Sequence, residues 1–252
     1  MKHVPCEGIP VAALSRSEPT SPLERRPSLW LHGAGLSGST WRGMTQQLPL
    51  AQTPDLPGHG RAPAIDPPRV EGFARALLPH VPDQAVLIGH SLGGMVALEL
   101  AHLARERVAA LVLVEAVPTV RDTRLGRMSA VIARSMMHMA PLAWLRKLSV
   151  MGQSPATRCE LQRQLAQHDR PGLMAAMEAA ATYDGRPLLE GISVPTLIVV
   201  GRQNRATHRG AQLAALRIPD AELVQVSGGH MLHTDNPLHL RRAIDAFLRR
   251  RL

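Results

Sequence analysis

The stretch AVLIGHSLGG, residues 85–94, decides the fold. Its first four residues form an apolar run of strand length, and the residues after Gly93 have the apolar pattern of a helix. Between them lies a GxSxG motif, which in this setting predicts a sharp turn that exposes the hydroxyl of Ser91. Glycine is needed at Gly89 and Gly93 because the neighbouring backbone must pass close to the turn. Ser91 is therefore the candidate nucleophile.

Further short apolar runs indicate other buried strands of the same sheet. They lie at residues 28–35, 108–117, 195–201 and 221–229. Helical patterns lie between them, and a last one follows Asn236, which suits an N-cap, with Pro237 in the first turn. This alternation predicts an α/β fold in which helices cover both faces of a parallel sheet. It is interrupted over residues 118–187, where helical patterns without a strand-like run predict a helical insertion.

The composition is that of one globular domain and argues against nucleic-acid binding. A chain of 252 residues with 45% hydrophobic and 19% charged residues can bury a sizeable core. The net charge of +9 comes from arginines scattered along the chain, and only Lys2 and Lys147 are lysines. No basic stripe results, so we expect no nucleic-acid partner.

Membrane and metal-binding functions are not indicated either. No segment approaches the ~18 apolar residues of a membrane span, and the first ten residues lack the apolar core of a signal peptide. Cys6 and Cys159 have neither the spacing of a zinc site nor that of a disulfide framework. We therefore expect a cytoplasmic protein with no membrane partner, no metal and no other cofactor.

A serine nucleophile needs a base, and the oxyanion formed when it attacks an acyl group needs two N–H donors. His230, in SGGHMLH (227–233), follows Ser91 in the order expected of the base. One donor is the backbone amide of Leu92, directly after the nucleophile. The second predicted donor is Ala34 in HGAG (32–35), where glycines let the backbone approach a substrate.

In these motifs the chain resembles the α/β-hydrolase superfamily, in its cap-bearing branch of serine esterases. The matching stretches, in family order and spacing, are HGAG (32–35), DLPGHG (55–60), GHSLGG (89–94), PTLIVVG (195–201) and GGHMLHTDNP (228–237). The resemblance implies a mostly parallel, eight-stranded sheet flanked by helices, with a nucleophile elbow after the fifth strand and a helical cap after the sixth. Residues 118–187 would be the cap, and residues 1–117 and 188–252 the hydrolase core. Asp55 and His59 would be turn-forming residues.

The chain departs from the family at the acid of the catalytic triad. Relatives carry GxxD after the strand that corresponds to PTLIVVG, whereas this chain has Asn204. An asparagine could accept the imidazole N–H, but it lacks the charge that stabilises imidazolium. Some relatives place the acid after the sixth strand, where this chain has Glu115, and a charge buried there needs a partner. We take Glu115 as the acid, with Asn204 as the residue that could stand in its place; a purely structural polar contact is the other interpretation of Glu115.

These residues predict a serine hydrolase that forms an acyl-enzyme on Ser91 and hydrolyses a small-molecule carboxylic ester, thioester or lactone. Hydrolysis of C–C bonds by the same Ser91 and His230 is one alternative. A ligand-binding protein of hydrolase fold, with turnover weakened by Asn204, is another. In the predicted cap, four side chains either line an apolar substrate pocket or only pack the helices together. They are Met136, Met137, Met139 and Trp144.

Overall fold

The computed structural model describes residues 21–121 and 142–252, except for the side chains at positions 142, 143, 145 and 146. Six strands form one sheet: β1 (Ser28–Leu31), β2 (Ala51–Gln52), β3 (Ala85–His90), β4 (Val108–Val114), β5 (Thr196–Gly201) and β6 (Ala221–Val226). All neighbouring strands are parallel, in the order β2-β1-β3-β4-β5-β6. The predicted α/β fold with a parallel sheet is confirmed.

Helices cover the sheet and fill the connections between its strands. They are α1 (Arg42–Thr45), α2 (Val70–Leu77), α3 (Leu92–Leu103), α4 (Leu142–Ser149), α5 (Pro155–Leu165), α6 (Arg170–Thr182), α7 (Arg205–Arg217), α8 (Leu232–Asp235) and α9 (Pro237–Arg251). Because side chains alternate across a strand, β1 places side chains on both faces of the sheet. Leu29 and Leu31 belong to the core under α2, α3 and α7, whereas Trp30 packs on the other face with Trp41 and Phe247 of α9.

The sheet has six strands in the described part of the chain, which corrects the eight implied by the family resemblance. The stretch directly before β1 is a 3-10 helix, Pro22–Glu24, followed by Pro27. Proline has no N–H to add to a sheet ladder, so this stretch does not extend the sheet as a further strand. Ser91 accordingly follows the third strand, β3, and the long helical segment follows the fourth, β4.

The described part of the connection between β4 and β5 contains helices and no strand. It contains α4, α5 and α6, and two of these helices begin with a side-chain cap. Ser154 accepts a hydrogen bond from the Thr157 N–H at the start of α5, and Asp169 accepts one from Gly172 at the start of α6. The division of the chain into a core and a cap at residues 118 and 187 stays a prediction.

Cys159, on α5, is disulfide-bonded, so the sequence argument against a disulfide is wrong at this position. Over residues 21–121 and 142–252, no helix is both long and apolar enough to cross a bilayer. The same residues contain no cluster of three or more His, Cys, Asp or Glu side chains that could hold a metal ion.

Candidate active site

Ser91 lies at a sharp corner between β3 and α3. Its backbone has φ 52° and ψ −118°, a region that costs a non-glycine residue on the order of 1–3 kcal/mol. The Ser91 N–H donates to Val114 O at 3.0 Å, so the corner continues the pairing of β3 with β4. A Cβ on Gly89 would collide with the backbone of Gly93, and a Cβ on Gly93 with the carbonyl of Leu31. The glycines of the motif are therefore required by close approach, as predicted.

The HGAG loop passes directly beside this corner. A Cβ on Gly33 would lie 2.8 Å from His90 Nδ1 and 3.3 Å from Ser91 Cβ, so a side chain here would displace the His90 ring. The amides of Gly35 and Leu36 are already used, since they donate to His59 Nε2 (3.3 Å) and to Gly33 O (3.2 Å). Among the residues that the structure describes, no acceptor is found for the amide of Ala34. This leaves the Ala34 N–H free to donate to a bound group.

Two buried imidazoles hold the HGAG loop against the loop that contains residues 55–60. His32 donates from Nδ1 to Gly33 O (2.9 Å) and accepts the Leu56 N–H at Nε2 (2.9 Å). His59 donates from Nδ1 to Pro57 O (3.2 Å) and accepts at Nε2 from the HGAG loop. A ring nitrogen that accepts an N–H carries no proton, so both rings are neutral.

Burial accounts for the neutral state of both rings. It lowers the pKa of His32 well below its usual value, and the neighbouring His59 adds to this effect. Burial also lowers the pKa of His59, to about 4. Asp55 belongs to the same loop, where its carboxylate accepts the backbone N–H groups of Gly38 (2.9 Å) and Arg61 (3.2 Å). His59 and Asp55 thus make the backbone contacts of turn-forming residues.

His230 lies in the loop between β6 and α8, with 40% of its side chain exposed. His90, the residue before Ser91, donates from Nε2 to the His230 carbonyl at 2.9 Å, and the two rings are 4.9 Å apart. This contact ties the loop of the predicted base to the serine corner. No hydrogen bond joins Ser91 Oγ to His230 in the described residues; such bonds often tighten only when substrate is present.

Glu115 is the first residue after β4 and, like Ser91, has a left-handed backbone, with φ 51°. Its side chain is fully buried. Oε1 accepts a short hydrogen bond from the Gly201 N–H, and Oε2 accepts from Thr207 Oγ1 (2.7 Å) and Asn204 Nδ2 (2.6 Å). These three donors offset the cost of burying a carboxylate. The fourth neighbour is His230, whose Nδ1 is 3.5 Å from Oε2.

Asn204 lies between the carboxylate and the imidazole. Its Nδ2 is 2.6 Å from Glu115 Oε2 and 3.1 Å from His230 Nδ1. Turning the amide over would bring its oxygen against the carboxylate oxygen, two acceptors in contact, so the hydrogen-bond network fixes the orientation. The NH₂ group of Asn204, and not its oxygen, therefore faces His230.

Thr207, His90 and Gly201 contact the predicted site residues, and the sequence analysis assigned them no role. Thr207 lies on the first turn of α7, and no motif singles it out. Gly201 ends a quoted motif, but its need for glycine follows only from the fold, where a Cβ would lie 2.9 Å from Glu115 Oε1. Of the predicted pocket residues, Met136, Met137 and Met139 lie outside the described residues. Trp144, on α4, is 47% exposed.

Comparison with known proteins agrees with this architecture. The profile described as "Alpha/beta hydrolase family" matches residues 29–240. A pimeloyl-[acyl-carrier protein] methyl ester esterase of Aromatoleum aromaticum is 32% identical over 236 residues, which cover 84% of this chain and 94% of that protein. The esterase of the same name from Chromobacterium violaceum is 32% identical over 77% of this chain and 83% of its own length.

The fold also matches solved structures. A thermophilic esterase from Thermogutta terrifontis superposes with a TM-score of 0.77 over 89% of this chain and 90% of that one, at 23% identity. At this level of identity the match concerns the fold alone. The predicted resemblance is confirmed by the profile, and the predicted class of enzyme, a carboxylic ester hydrolase, is that of the relatives named above.

Proposed function

Because the chain belongs to the α/β-hydrolase family, we propose that it hydrolyses carboxylic esters through an acyl-enzyme on Ser91, with His230 as the base and Glu115 as the acid. Two relatives that are 32% identical carry the name of an ester hydrolase. The observation that carries the proposal is the buried Glu115 carboxylate, whose Oε2 is 3.5 Å from His230 Nδ1. A charge at this nitrogen is what a serine–histidine pair needs.

In the proposed acylation, Ser91 Oγ attacks the ester carbonyl carbon while His230 Nε2 takes the hydroxyl proton. The amides of Ala34 and Leu92 donate to the oxyanion that forms. His230 then gives the proton to the alkoxide, so the C–O bond breaks and the alcohol leaves. In deacylation His230 takes a proton from water, the hydroxide attacks the acyl-enzyme, and Ser91 recovers its proton as the carboxylic acid departs.

Glu115 acts in this mechanism through His230. It accepts the Nδ1–H of the neutral ring, which leaves Nε2 free to act as the base, and it stabilises the imidazolium that forms. Asn204 and Thr207 donate to the same Oε2 and so hold the carboxylate in place. In this proposal Glu115, which follows the neighbouring strand β4, supplies the carboxylate that position 204 lacks.

For the substrate we propose a methyl ester at the end of an acyl chain that is attached to an acyl-carrier protein. The named relatives act on such a compound, and one of them is aligned over 94% of its length. Residues 118–187 would form the cap over the acyl chain. Within that segment Leu165 and Leu173 approach the HGAG loop, since a Cβ on Gly35 would lie 3.0 Å from both side chains. Their position supports an apolar group next to Ser91.

Labelling with a fluorophosphonate, together with hydrolysis of p-nitrophenyl esters, tests the proposal. We expect stoichiometric labelling at Ser91, located by peptide mass spectrometry, and turnover of esters of apolar acids; Ser91→Ala is the control. A folded protein that neither reacts nor hydrolyses any ester would refute it. Comparing a carrier-bound acyl methyl ester with the free acyl methyl ester tests the substrate, and equal kcat/KM for both would contradict a carrier-bound one.

One contact favours a second candidate, a ligand-binding protein of hydrolase fold with weak turnover. If the Asn204 NH₂ donates to His230 Nδ1 across their 3.1 Å, the ring proton lies on Nε2 and the ring cannot take the proton of Ser91. The same labelling experiment separates the candidates. A binding protein would bind an acyl ligand with its Ser91 unlabelled, whereas the esterase is labelled within minutes.

A further inference from the structure

The N-terminal end of α5 is attached to the loop that carries His230. Ser154 Oγ and Thr157 Oγ1 both donate to Asp235 Oδ1, at 2.6 Å and 2.7 Å. The other oxygen of this carboxylate, Oδ2, accepts the N–H of Gly229 at 2.7 Å, the residue before His230. Thr157 is fully buried, so water cannot replace its hydroxyl. The start of the helix and the backbone next to the proposed base thus share one carboxylate.

The other end of α5 is attached to the segment that follows the HGAG loop. The Gln164 side chain is fully buried. Its Oε1 accepts from Ser37 Oγ at 2.8 Å, and its Nε2 donates to Ser39 Oγ at 3.1 Å and to Glu160 Oε1 at 2.7 Å. Both polar atoms of this amide are hydrogen-bonded, and its partner Ser37 lies three residues after the proposed oxyanion donor Ala34.

We propose that α5 is a brace across the active site, with Thr157 and Asp235 as positioning residues for the base and Gln164 as the positioning residue for the oxyanion loop. The inference rests on the proposed function, because it assigns His230 and Ala34 their roles. An α-helix of eleven residues is about 16 Å long and rigid, so it can fix the separation of two loops that are far apart in the sequence.

Directional bonds at both ends distinguish a brace from a helix that only packs. An apolar contact tolerates sliding, whereas a buried hydroxyl or amide with a single set of partners loses its hydrogen bonds when it shifts by an ångström. Misplacement of catalytic groups by about 1 Å can cost up to ~10²-fold in rate. We therefore expect the polar atoms of Thr157 and Gln164 to matter for kcat more than their volume does.

Two pairs of nearly isosteric variants test the brace. Thr157→Val removes the hydroxyl, and Thr157→Ser keeps it; Gln164→Met removes the amide, and Gln162→Met makes the same change at an exposed position of the same helix. For Thr157→Val and Gln164→Met we expect kcat for ester hydrolysis to fall about tenfold with KM changed less than twofold. Thr157→Ser and Gln162→Met should stay within twofold of the wild type.

Amide hydrogen exchange provides a readout independent of turnover, at a temperature where circular dichroism finds every variant folded. Thr157→Val should speed exchange in residues 228–231, and Gln164→Met should speed exchange in residues 33–39. In each case the affected residues lie in the loop on the other side of the hydrogen bonds that the variant removes. If exchange is unchanged, or if it rises while kcat stays within twofold of the wild type, α5 is not a brace. Should the wild type fail to hydrolyse esters or to react with the fluorophosphonate, the proposed function fails, and exchange alone then decides whether α5 braces the loops.

Discussion

Two corners of the molecule are built alike and used differently. Ser91 follows β3 and Glu115 follows β4, each as the first residue past its strand, with φ of 52° and 51°. Each N–H donates to the next strand of the sheet, to Val114 O at 3.0 Å and to Val199 O at 2.8 Å. The Ser91 side chain is partly exposed, and in the described part of the chain its hydroxyl has no hydrogen bond. The Glu115 side chain is fully buried and accepts three.

The difference teaches that one strained backbone conformation can either present a reactive group or hold a charge in place. Adjacent parallel strands end at the same edge of the sheet, so two such corners bring their side chains together. At Ser91 the strain exposes a hydroxyl, and the surroundings leave it free. At Glu115 the donors of the next strand and of α7 close around the carboxylate. The predictions below test this contrast.

The largest effect is expected at the serine corner. Ser91→Ala removes the nucleophile, and loss of a triad serine can cost on the order of 10⁶-fold in kcat. Alanine fits the same corner, so urea unfolding should find stability within about 1 kcal/mol of the wild type. Turnover of p-nitrophenyl esters near the wild-type rate in this variant would mean that another group is the nucleophile.

The glutamate corner should come second. Glu115→Gln keeps the shape of the side chain but removes the charge next to His230, so kcat should fall roughly 10³–10⁴-fold. Asn204→Ala is the matched comparison and should cost less than tenfold, because it removes one donor to the carboxylate and leaves the charge. Steady-state kinetics on folded samples measures both. Equal losses, or a larger loss for Asn204→Ala, would contradict Glu115 as the acid.

A smaller effect is expected from a donor to the carboxylate. Thr207→Val deletes the hydroxyl that donates to Glu115 Oε2 at 2.7 Å, while Gly201 and Asn204 keep their bonds. We expect about a tenfold lower kcat and a stability loss of about 1–2 kcal/mol, since a buried acceptor loses one of several partners. Thr207→Ser is the control and should restore kcat. A Thr207→Ser variant as slow as Thr207→Val would show that volume, and not the hydroxyl, matters.

Restoring a carboxylate at position 204 should not raise activity. In Asn204→Asp the new group would replace an NH₂ that lies 2.6 Å from Glu115 Oε2, and two carboxylates at this distance must share a proton. We therefore expect kcat within tenfold of the wild type and not above it between pH 6 and pH 8. A strong gain would identify position 204 as the acid site and would turn Glu115 into a structural residue.

The last prediction concerns the stability of the fold in acid, with no change in the catalytic groups. The serine corner is surrounded by buried neutral imidazoles, and burial lowers the pKa of both His59 and His233 from 6.5 to about 4. The unfolded chain therefore binds protons first as the pH falls. The stability that each of these two neutral rings contributes is fully present above about pH 6.5 and is lost between pH 6.5 and 4, by at most ~3 kcal/mol per histidine.

Urea unfolding at pH 7.5, 5.5 and 4.5 measures this loss. In His233→Gln one of the titrating rings is removed, while an amide can still reach Thr40, which is 3.0 Å from His233 Nε2. Its stability should decrease less steeply with falling pH than that of the wild type. An identical slope in the two proteins would show that His233 is not buried in the neutral state.

Whether the sequence predicted a residue's role depended on how far along the chain its contacts lie. Ser91 could be placed because its requirement, a strand, two close glycines and a helix, is contained in ten residues. The parallel sheet followed from periodicity in the same way. The number of strands came from the resemblance, and the described part of the chain has six instead of eight, with Pro22 and Pro27 in the stretch directly before β1. The contacts of Thr207, Gln164 and Asp235 could not be predicted, since each joins segments far apart in the chain.

Glu115 and Asn204 illustrate the limit within the site. The missing charge at 204 was visible in the sequence, and the resemblance pointed to Glu115 as its replacement. The structure brings both to His230 Nδ1, at 3.1 Å for Asn204 Nδ2 and 3.5 Å for Glu115 Oε2. The direction of the amide depends on which acceptors surround it in three dimensions, and one-dimensional patterns contain no such information. The catalytic roles of the two residues stay predictions.

Both corners are attached to the centre of the sheet by the same backbone bonds that pair its strands. Regions of a protein open separately on heating when few buried contacts tie them to the rest. Here the hydrogen bonds of Ser91 to β4 and of Glu115 to β5 break only if the central strands part. The nucleophile and the buried carboxylate therefore belong to one melting unit with the core, so any activity lost below the unfolding temperature would come from another part of the site, such as the loop of His230.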